Sequence, residues 1–509
     1  MKRRTVLKFM SAPAVAALFG TDLWQAAAAA PSVTRAASLA ARTGPPGLTE
    51  KIASFVSRTR FHDLPPQVVE KTKELIVFLL GRAFEGSSSR AMSQLDAVAP
   101  SMGQPLRGRA TVIGRAYRLA PSDAAFMNCT MMRGDYGQDD LLWPAVIHAG
   151  PVTLPAALAL AEVHRLSGKE LITACALAYE VMGKLGSAAN PLEARPMSRG
   201  TIVYGTFGPV IAAARLLKLG EQQTTHVLGY AVNIAMGTPI MMTHYYSFLP
   251  RNGILAAQLA AAGGAAYSRT TIEGALGLYR TFFGEVPAAL PKLVDTLGSD
   301  WAILNAEPKK YFGTGNNAVP IALLDRLLRD QPMQADHVRR IDAVLPYAQY
   351  DQLRRDVIAA QGPFGETSAA YSSLPYALAL LLMFGPDNVD TARWYAADAD
   401  PSIVNDAAVR HVMQRIFVTF EGGHESMRSA RLEIALADGR HVRRESQHFE
   451  MPFPRNEWHT WLQRRGSAFL SDEQLQRLER RIADLENLGD VSTLMTAVVP
   501  AKRAMRCCL

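Results

Sequence analysis

Two neighbouring stretches, Leu154-Pro-Ala-Ala-Leu-Ala-Leu-Ala-Glu-Val-His-Arg165 and Glu170-Leu-Ile-Thr-Ala-Cys-Ala-Leu-Ala-Tyr-Glu-Val-Met-Gly-Lys184, decide the fold class. Both have helical apolar spacing, and both put small residues on several faces at once. Helices of that kind approach each other closely, so the spacing predicts a large helical core rather than amphipathic surface helices. Gly205 to Leu217 and Gly253 to Ala266 repeat the pattern. None of these runs reaches 18 purely apolar residues, which reads as buried helix and not membrane span.

Working towards the N-terminus, Ile52, Phe55 and Val56 and then Val68, Val69, Leu75, Ile76, Leu79 and Leu80 are helically spaced. Between them Asp63-Leu-Pro-Pro66 offers an Asp N-cap and a first-turn proline. Before residue 46 the character changes. Lys2, Arg3, Arg4 and Lys8 precede a short apolar run from Phe9 to Phe19 and the small residues Ala26 to Ala30. This is the layout of a twin-arginine signal peptide, residues 1–30, with an Ala-, Arg- and Ser-rich linker at 31–46. The expectation is export of a folded protein to a periplasm by the twin-arginine machinery, with the signal removed and no permanent membrane anchor.

Towards the C-terminus the period shifts from helix to strand. Val338 to Leu345 and Arg415 to Phe420 are β-branched and alternating, and Arg431-Leu-Glu-Ile-Ala-Leu-Ala-Asp438-Gly439-Arg-His-Val442 reads as strand, Asp-Gly turn, strand. Helical spacing returns from Glu457 to Leu488. The fold class is therefore mainly α: a helical domain at 47–310, an inserted α/β domain at 311–445, and C-terminal helices at 446–509 packing back on the first domain.

Composition agrees. The 509 residues are 49% apolar and 20% charged, with 37 Gly and 30 Pro, which suits a globular protein and excludes a long coiled coil. The net charge is +8, of which the first thirty residues supply +3; the rest is spread without a basic run, so no nucleic-acid partner is expected. Cys129, Cys175, Cys507 and Cys508 form no CxxC pair and have no His at metal spacing, so neither a zinc site nor a disulfide framework is expected.

Several strings together resemble the MmgE/PrpD family, which includes 2-methylcitrate dehydratases, cis-aconitate decarboxylases and an iminodisuccinate epimerase. They are Leu48-Thr-Glu-Lys-Ile-Ala-Ser-Phe-Val56 with Asp63-Leu-Pro-Pro-Gln-Val-Val69, then Pro155 to Glu162 with Ser167-Gly168 and Ala178-Tyr179-Glu180. Gly205-Thr-Phe-Gly208 and Ser373-Leu-Pro-Tyr376 follow in the same order, spanning roughly 400 residues. The resemblance implies a helical domain with an α/β lid, a site in the cleft between them, a homodimer, a small-molecule substrate and no organic cofactor.

Lyase or epimerase chemistry beside a carboxylate needs a base within hydrogen-bond reach and donors or cations for the charge that develops. The resemblance places these in Asn128-Cys-Thr-Met-Met-Arg-Gly-Asp135-Tyr-Gly-Gln-Asp139-Asp140-Leu-Leu-Trp143-Pro-Ala-Val-Ile-His148-Ala-Gly-Pro151. His148 is the expected base or acid, titrating near neutrality beside helix amides. Its acidic partner is Asp135, with Asp139 second. Lys309 and Lys310 occupy the lid-side lysine position, and Tyr376 that of the lid tyrosine.

Two positions depart from the family. Ser198-Arg199-Gly-Thr201-Ile-Val-Tyr204 lacks the usual His, leaving Tyr204 or Arg199 as replacements, and Met241-Met-Thr-His244-Tyr-Tyr-Ser-Phe248 lacks the lysine expected before Arg251, with His244 nearby. Arg251 itself is a candidate substrate-binding cation. These losses, together with Met241, Met242, Tyr245 and Tyr246, imply a larger and less anionic substrate than a tricarboxylate. They also leave open a catalytically silent binding or scaffold protein of the same fold.

Overall fold

The computed structural model describes residues 46–102, 109–134, 139–189, 200–235, 244–266, 269–311, 313–346, 352–365, 367–385, 401–422, 428–447 and 451–500. The signal peptide, all but the last residue of the linker, Asp135, Arg199, Met241, Met242, Cys507 and Cys508 lie outside these segments.

Helices α1 (Leu48–Arg58) and α2 (Pro66–Gly86) open the chain. Pro66 takes the first helical position as expected, but Pro65 is the N-cap, and Asp63 closes the preceding turn by accepting from the Arg60 amide at 2.7 Å. After α3 (Arg90–Val98), the short pair β1 (Ala110–Thr111) and β2 (Arg118–Leu119) leads into α4 (Pro121–Arg133). Strand β3 (Asp140–Leu142) precedes α5 (Ala149–Val163) and α6 (Gly168–Ala189), the two helices of the opening sequence. In α5 the described side chains from Ala149 to Glu162 are all buried, as small residues on every face require. Then come α7 (Phe207–Leu216), α8 (Glu221–Ile234), α9 (Phe248–Ala261), the short α10 (Leu278–Phe283) and α11 (Leu290–Asp295), and β4 (Ala306–Pro308).

A second core begins at Ala318. It holds α12 (Ala318–Asp330), β5 (Val338–Pro346), α13 (Gln352–Ile358), α14 (Thr367–Ser372), α15 (Leu374–Phe384), α16 (Ala407–Met413), β6 (Ile416–Glu421), β7 (Ala430–Leu436) and β8 (His441–Ser446). The sheet order is β6-β5-β7-β8, with β5 parallel to β6 and the other pairs antiparallel. Gly439, at φ 88, makes the turn between β7 and β8 in a conformation that suits glycine. Alternate β7 residues Ala430, Leu432, Ile434 and Leu436 are buried, which fixes the register of the sheet face turned to the helices.

Met451 still packs in this second core, whereas Phe453 belongs to the first, so the boundary falls a few residues beyond 445. The chain then returns through α17 (Trp458–Gly466), α18 (Asp472–Ala483) and α19 (Ser492–Thr496). Trp461 stacks on Phe78 of α2 at 4.7 Å and donates to the Phe78 carbonyl at 3.1 Å. Gly81 makes that contact possible, because a Cβ there would stand 2.2 Å from the Trp461 indole nitrogen. Buried Lys73 of α2 meets Glu486 at 2.7 Å. Among the described residues no helix is long and apolar enough to cross a membrane.

Candidate active site

The site is assembled by a short two-stranded sheet. Strand β3 runs antiparallel to β4, with Asp140 opposite Pro308 and Leu142 opposite Ala306. The Lys309 amide extends this ladder by donating to the Asp139 carbonyl at 3.1 Å, which sets Lys309 beside Asp139 despite their separation in sequence. After β3 the chain doubles back through the Leu142–Ile147 bridge, and His148 becomes the N-cap residue of α5. The His148 amide donates to Thr201 Oγ1 at 2.9 Å.

Asp140 anchors the turn. Its Oδ1 accepts from the Gly150 amide at 2.8 Å, in the first turn of α5, and its Oδ2 accepts from the Tyr179 hydroxyl of α6 at 2.8 Å. A carboxylate from a strand thus satisfies one of the open amides at a helix start. Burial, reinforced by the charge of Asp139, pushes the Asp140 carboxyl up to about 7.

Asp139 has no solvent exposure. Its Oδ1 lies 2.5 Å from His148 Nδ1 and 3.1 Å from Lys309 Nζ, and its Oδ2 lies 3.7 Å from Arg133 Nε. Burial pushes this carboxyl upward, but His148, Lys309 and Arg133 outweigh it and hold it down at about 2. An ionised Asp139 accepts at Oδ1, so the imidazole carries its proton on Nδ1 and leaves Nε2 as a lone-pair nitrogen. Among the described residues Nε2 makes no hydrogen bond, and the His148 side chain keeps 21% of its surface accessible. The expectation that His148 titrates near neutrality is corrected. Burial, aided by the nearby cations Lys309 and Arg133, lowers it to about 4 against the pull of Asp139.

Arg133, at the end of α4, was not singled out in the sequence. Its guanidinium lies 5.0 Å from the Tyr246 ring and hydrogen-bonds Tyr245, while Nε and Nη1 are buried and make no hydrogen bond among the described residues. Tyr245 and Tyr246 are ring neighbours at 4.0 Å, and Tyr246 faces the His148 ring at 5.4 Å and hydrogen-bonds Thr201. The centre is thus a His–Asp pair backed by two cations and walled by two tyrosines.

The remaining candidates stand apart from this pair. Lys310 turns away and pairs with Glu457 at 2.8 Å, so of the two lysines it is Lys309 that meets the His–Asp pair. Tyr204 lies parallel to Phe283, with ring centres 6.1 Å apart, and beside Tyr279 in the helical core. Tyr376 is buried in the second core, edge-on to Phe364 at 5.7 Å. His244 sits in a left-handed turn at φ 68, near Thr130 Oγ1 at 3.4 Å and Gln94 Oε1 at 3.3 Å. Arg251 pairs with Asp123 at 3.1 Å, half-exposed on α9. Among the described residues no three His, Cys, Asp or Glu side chains are grouped as a metal site.

One contact joins the two cores close to the site. Glu307 of β4 accepts from Trp143 Nε1 at 2.9 Å and pairs with Arg428, just before β7.

Residues 50–290, which run from within α1 through α10 and include the turn from Asp139 to His148, match the MmgE/PrpD N-terminal domain. These residues form an MmgE/PrpD N-terminal domain, and the match supports the MmgE/PrpD family for the chain. It is 26% identical over 491 residues to a cis-aconitate decarboxylase-like protein, oryM, of Aspergillus oryzae, covering 89% of this chain and 97% of that one. It is 23% identical over 490 residues to human cis-aconitate decarboxylase, covering 88% and 94%. The cis-aconitate decarboxylase of Aspergillus terreus is 27% identical over 306 residues, covering 56% of this chain and 61% of that one. These likenesses support a lyase-type enzyme of the MmgE/PrpD family.

Proposed function

We propose that this MmgE/PrpD protein is an exported lyase or isomerase that needs no cofactor and moves a proton at a carbon beside a carboxylate. The observation that carries the proposal is the Nε2 of neutral His148, which makes no hydrogen bond among the described residues, fixed by the ionised Asp139 and flanked by Lys309 and Arg133. Nε2 takes the proton, and the imidazolium that forms is stabilised by Asp139 through Nδ1. The electron pair left on carbon spreads into the adjacent carboxylate, whose charge Arg133 or Lys309 receives. From that state the pair can expel a β-hydroxyl, which leaves as water with the returned proton, or it can be reprotonated on the other face. In a decarboxylation the carbon–carboxylate bond breaks instead, carbon dioxide leaves, and the carbon that keeps the electron pair takes a proton that Nε2 has first drawn from solvent. Names of the relatives favour this last course.

The buried charges favour an anion. Lys309 and Arg133 both stand beside Asp139, and among the described residues two Arg133 nitrogens are buried without a hydrogen bond. The Tyr245–Tyr246 wall and the absence of His and Lys from 198–204 and of Lys from 241–248 favour a larger substrate with fewer charges than methylcitrate. Export rests on the twin-arginine layout of residues 1–30, and a homodimer suits the exposed Phe248, Leu255 and Leu259 along α9. The second core, tied at Glu307–Arg428, would serve as the lid.

The test is turnover of a panel of mono-, di- and tricarboxylates followed by NMR, with carbon dioxide trapped. Conversion of a mono- or dicarboxylate is expected. Ordinary turnover of methylcitrate or cis-aconitate would refute the changed substrate, and ligand binding with no turnover anywhere would point to a silent binding protein.

A further inference from the structure

A second basic feature lies apart from His148, in a surface cavity of about 630 Å³. It is bounded by the end of α1, the turn Phe61–Asp63, the first turn of α6 and the end of α7. Its basic lining is Arg60, His62, Lys169, Arg215 and Lys218 against the single carboxylate of Glu170. None of these residues belongs to the proton-transfer centre.

Glu170 is already engaged. It accepts from the Ser167 amide at 2.9 Å and the Ser167 hydroxyl at 3.0 Å, and Lys218 stands 3.5 Å from it. Among the described residues, Arg60, Lys169 and Arg215 have no carboxylate within ion-pair distance. The Arg60 guanidinium spends hydrogen bonds on the Ser57 and Thr59 carbonyls, and Lys169 lies over the Phe61 ring at 5.5 Å. Arg215 is half-buried, and its Nε is fully buried with no hydrogen bond. Burial, with Arg60 nearby, makes its charge harder to hold. Three cations around one concavity, one of them desolvated and all without an ion-pair partner among the described residues, share the single carboxylate of Glu170, which leaves room for a further countercharge. The volume is that of a small-molecule site, and Phe61 and Leu219 give it an apolar side.

We propose that this cavity binds a small organic anion carrying two or more carboxylate or phosphate groups, independently of the active site. Arg215 and Arg60 would take one group by charge-assisted hydrogen bonds and Lys169 a second.

The experiment is calorimetric titration of the full mature chain with inorganic pyrophosphate and with citrate, using acetate as the singly charged control. Saturable binding of pyrophosphate, citrate or both is expected, weakening as salt rises, with no matching acetate binding. The probe that binds more tightly identifies phosphate or carboxylate as the recognised group. Arg215→Gln is expected to weaken binding at least about tenfold, in line with loss of a charge-assisted contact. Lys169→Gln, at an exposed position that leaves the fold intact, is expected to weaken it several-fold, and neither change alters turnover measured without the added anion. No saturable binding of either probe, or binding unchanged in both variants, would overturn the proposal.

Discussion

Replacing Asp139 by Asn keeps the shape of the side chain and removes the charge on which the centre depends. In the native protein Oδ1 serves His148 at 2.5 Å and Lys309 at 3.1 Å, and Oδ2 faces Arg133 at 3.7 Å. With an effective dielectric of about 20, one charge pair at the Lys309 distance is worth about 5 kcal/mol. Removing one partner of a buried pair typically destabilises by about 3–5 kcal/mol. Lys309 is already shifted downward by burial, so it can shed its proton and relieve part of that loss. The catalytic effect is not relieved in this way. An amide can offer its NH2 to Nδ1 and so put the imidazole proton on Nε2, where the lone pair is needed. Loss of the correct tautomer lowers kcat by about 10⁴ where a histidine base depends on a carboxylate. The assay is single-turnover kinetics on whichever carboxylate proves to be a substrate, with the His148 tautomer read from its ring nitrogen shifts. A folded Asp139→Asn protein with kcat within about threefold of the parent would refute the reasoning, because the working carboxylate would then lie elsewhere.

Further outcomes follow from the same geometry. Since His148 acts as the free base and burial lowers it to about 4, kcat/KM should be flat above pH 5 and fall as pH drops through about 4; a half-maximum near 6.5 would contradict this. In stability the sign is the same, because the unfolded chain takes up the His148 proton first, so this contribution is present above pH 6.5 and is lost as pH falls towards 4. Arg133→Gln should raise KM by about 10- to 150-fold with little change in kcat if the guanidinium holds a substrate carboxylate, whereas an equal fall in kcat would assign it to the transition state. Gly150→Ala would place a Cβ 2.3 Å from Asp140 Oδ1 and 2.4 Å from Leu79 Cδ1. It should lower stability by about 1–3 kcal/mol in denaturant titration and displace His148; an unchanged midpoint and rate would contradict the anchoring role of Asp140.

The helical core was legible because Ala- and Leu-rich spacing such as that of 154–165 is possible only where helices surround a helix. The Asp438-Gly439 turn was legible because few residues accept its backbone conformation. The site was only half legible. His148 was marked by its place before Ala149-Gly150, but its partner depends on β3 and β4, three-residue strands whose pairing no local pattern announces. Asp135 was therefore preferred over Asp139, and it lies outside the described residues. Arg133 looked like an ordinary basic residue of a last helical turn; the one available signal was its position six residues before Asp139. Tyr376 and Tyr204 belong to aromatic packing in the two cores, which a single sequence does not distinguish from a tyrosine facing a cleft.

The central claim is that His148 moves a proton at a carbon of the substrate, and isotope exchange tests it most directly. The mature protein is incubated in heavy water with the carboxylate panel, and deuterium entry into carbon is followed by NMR for the parent and for His148→Ala. The account predicts deuterium at the carbon beside a carboxylate in the parent and its disappearance in the folded variant. Exchange that persists at the parental rate in His148→Ala would contradict it.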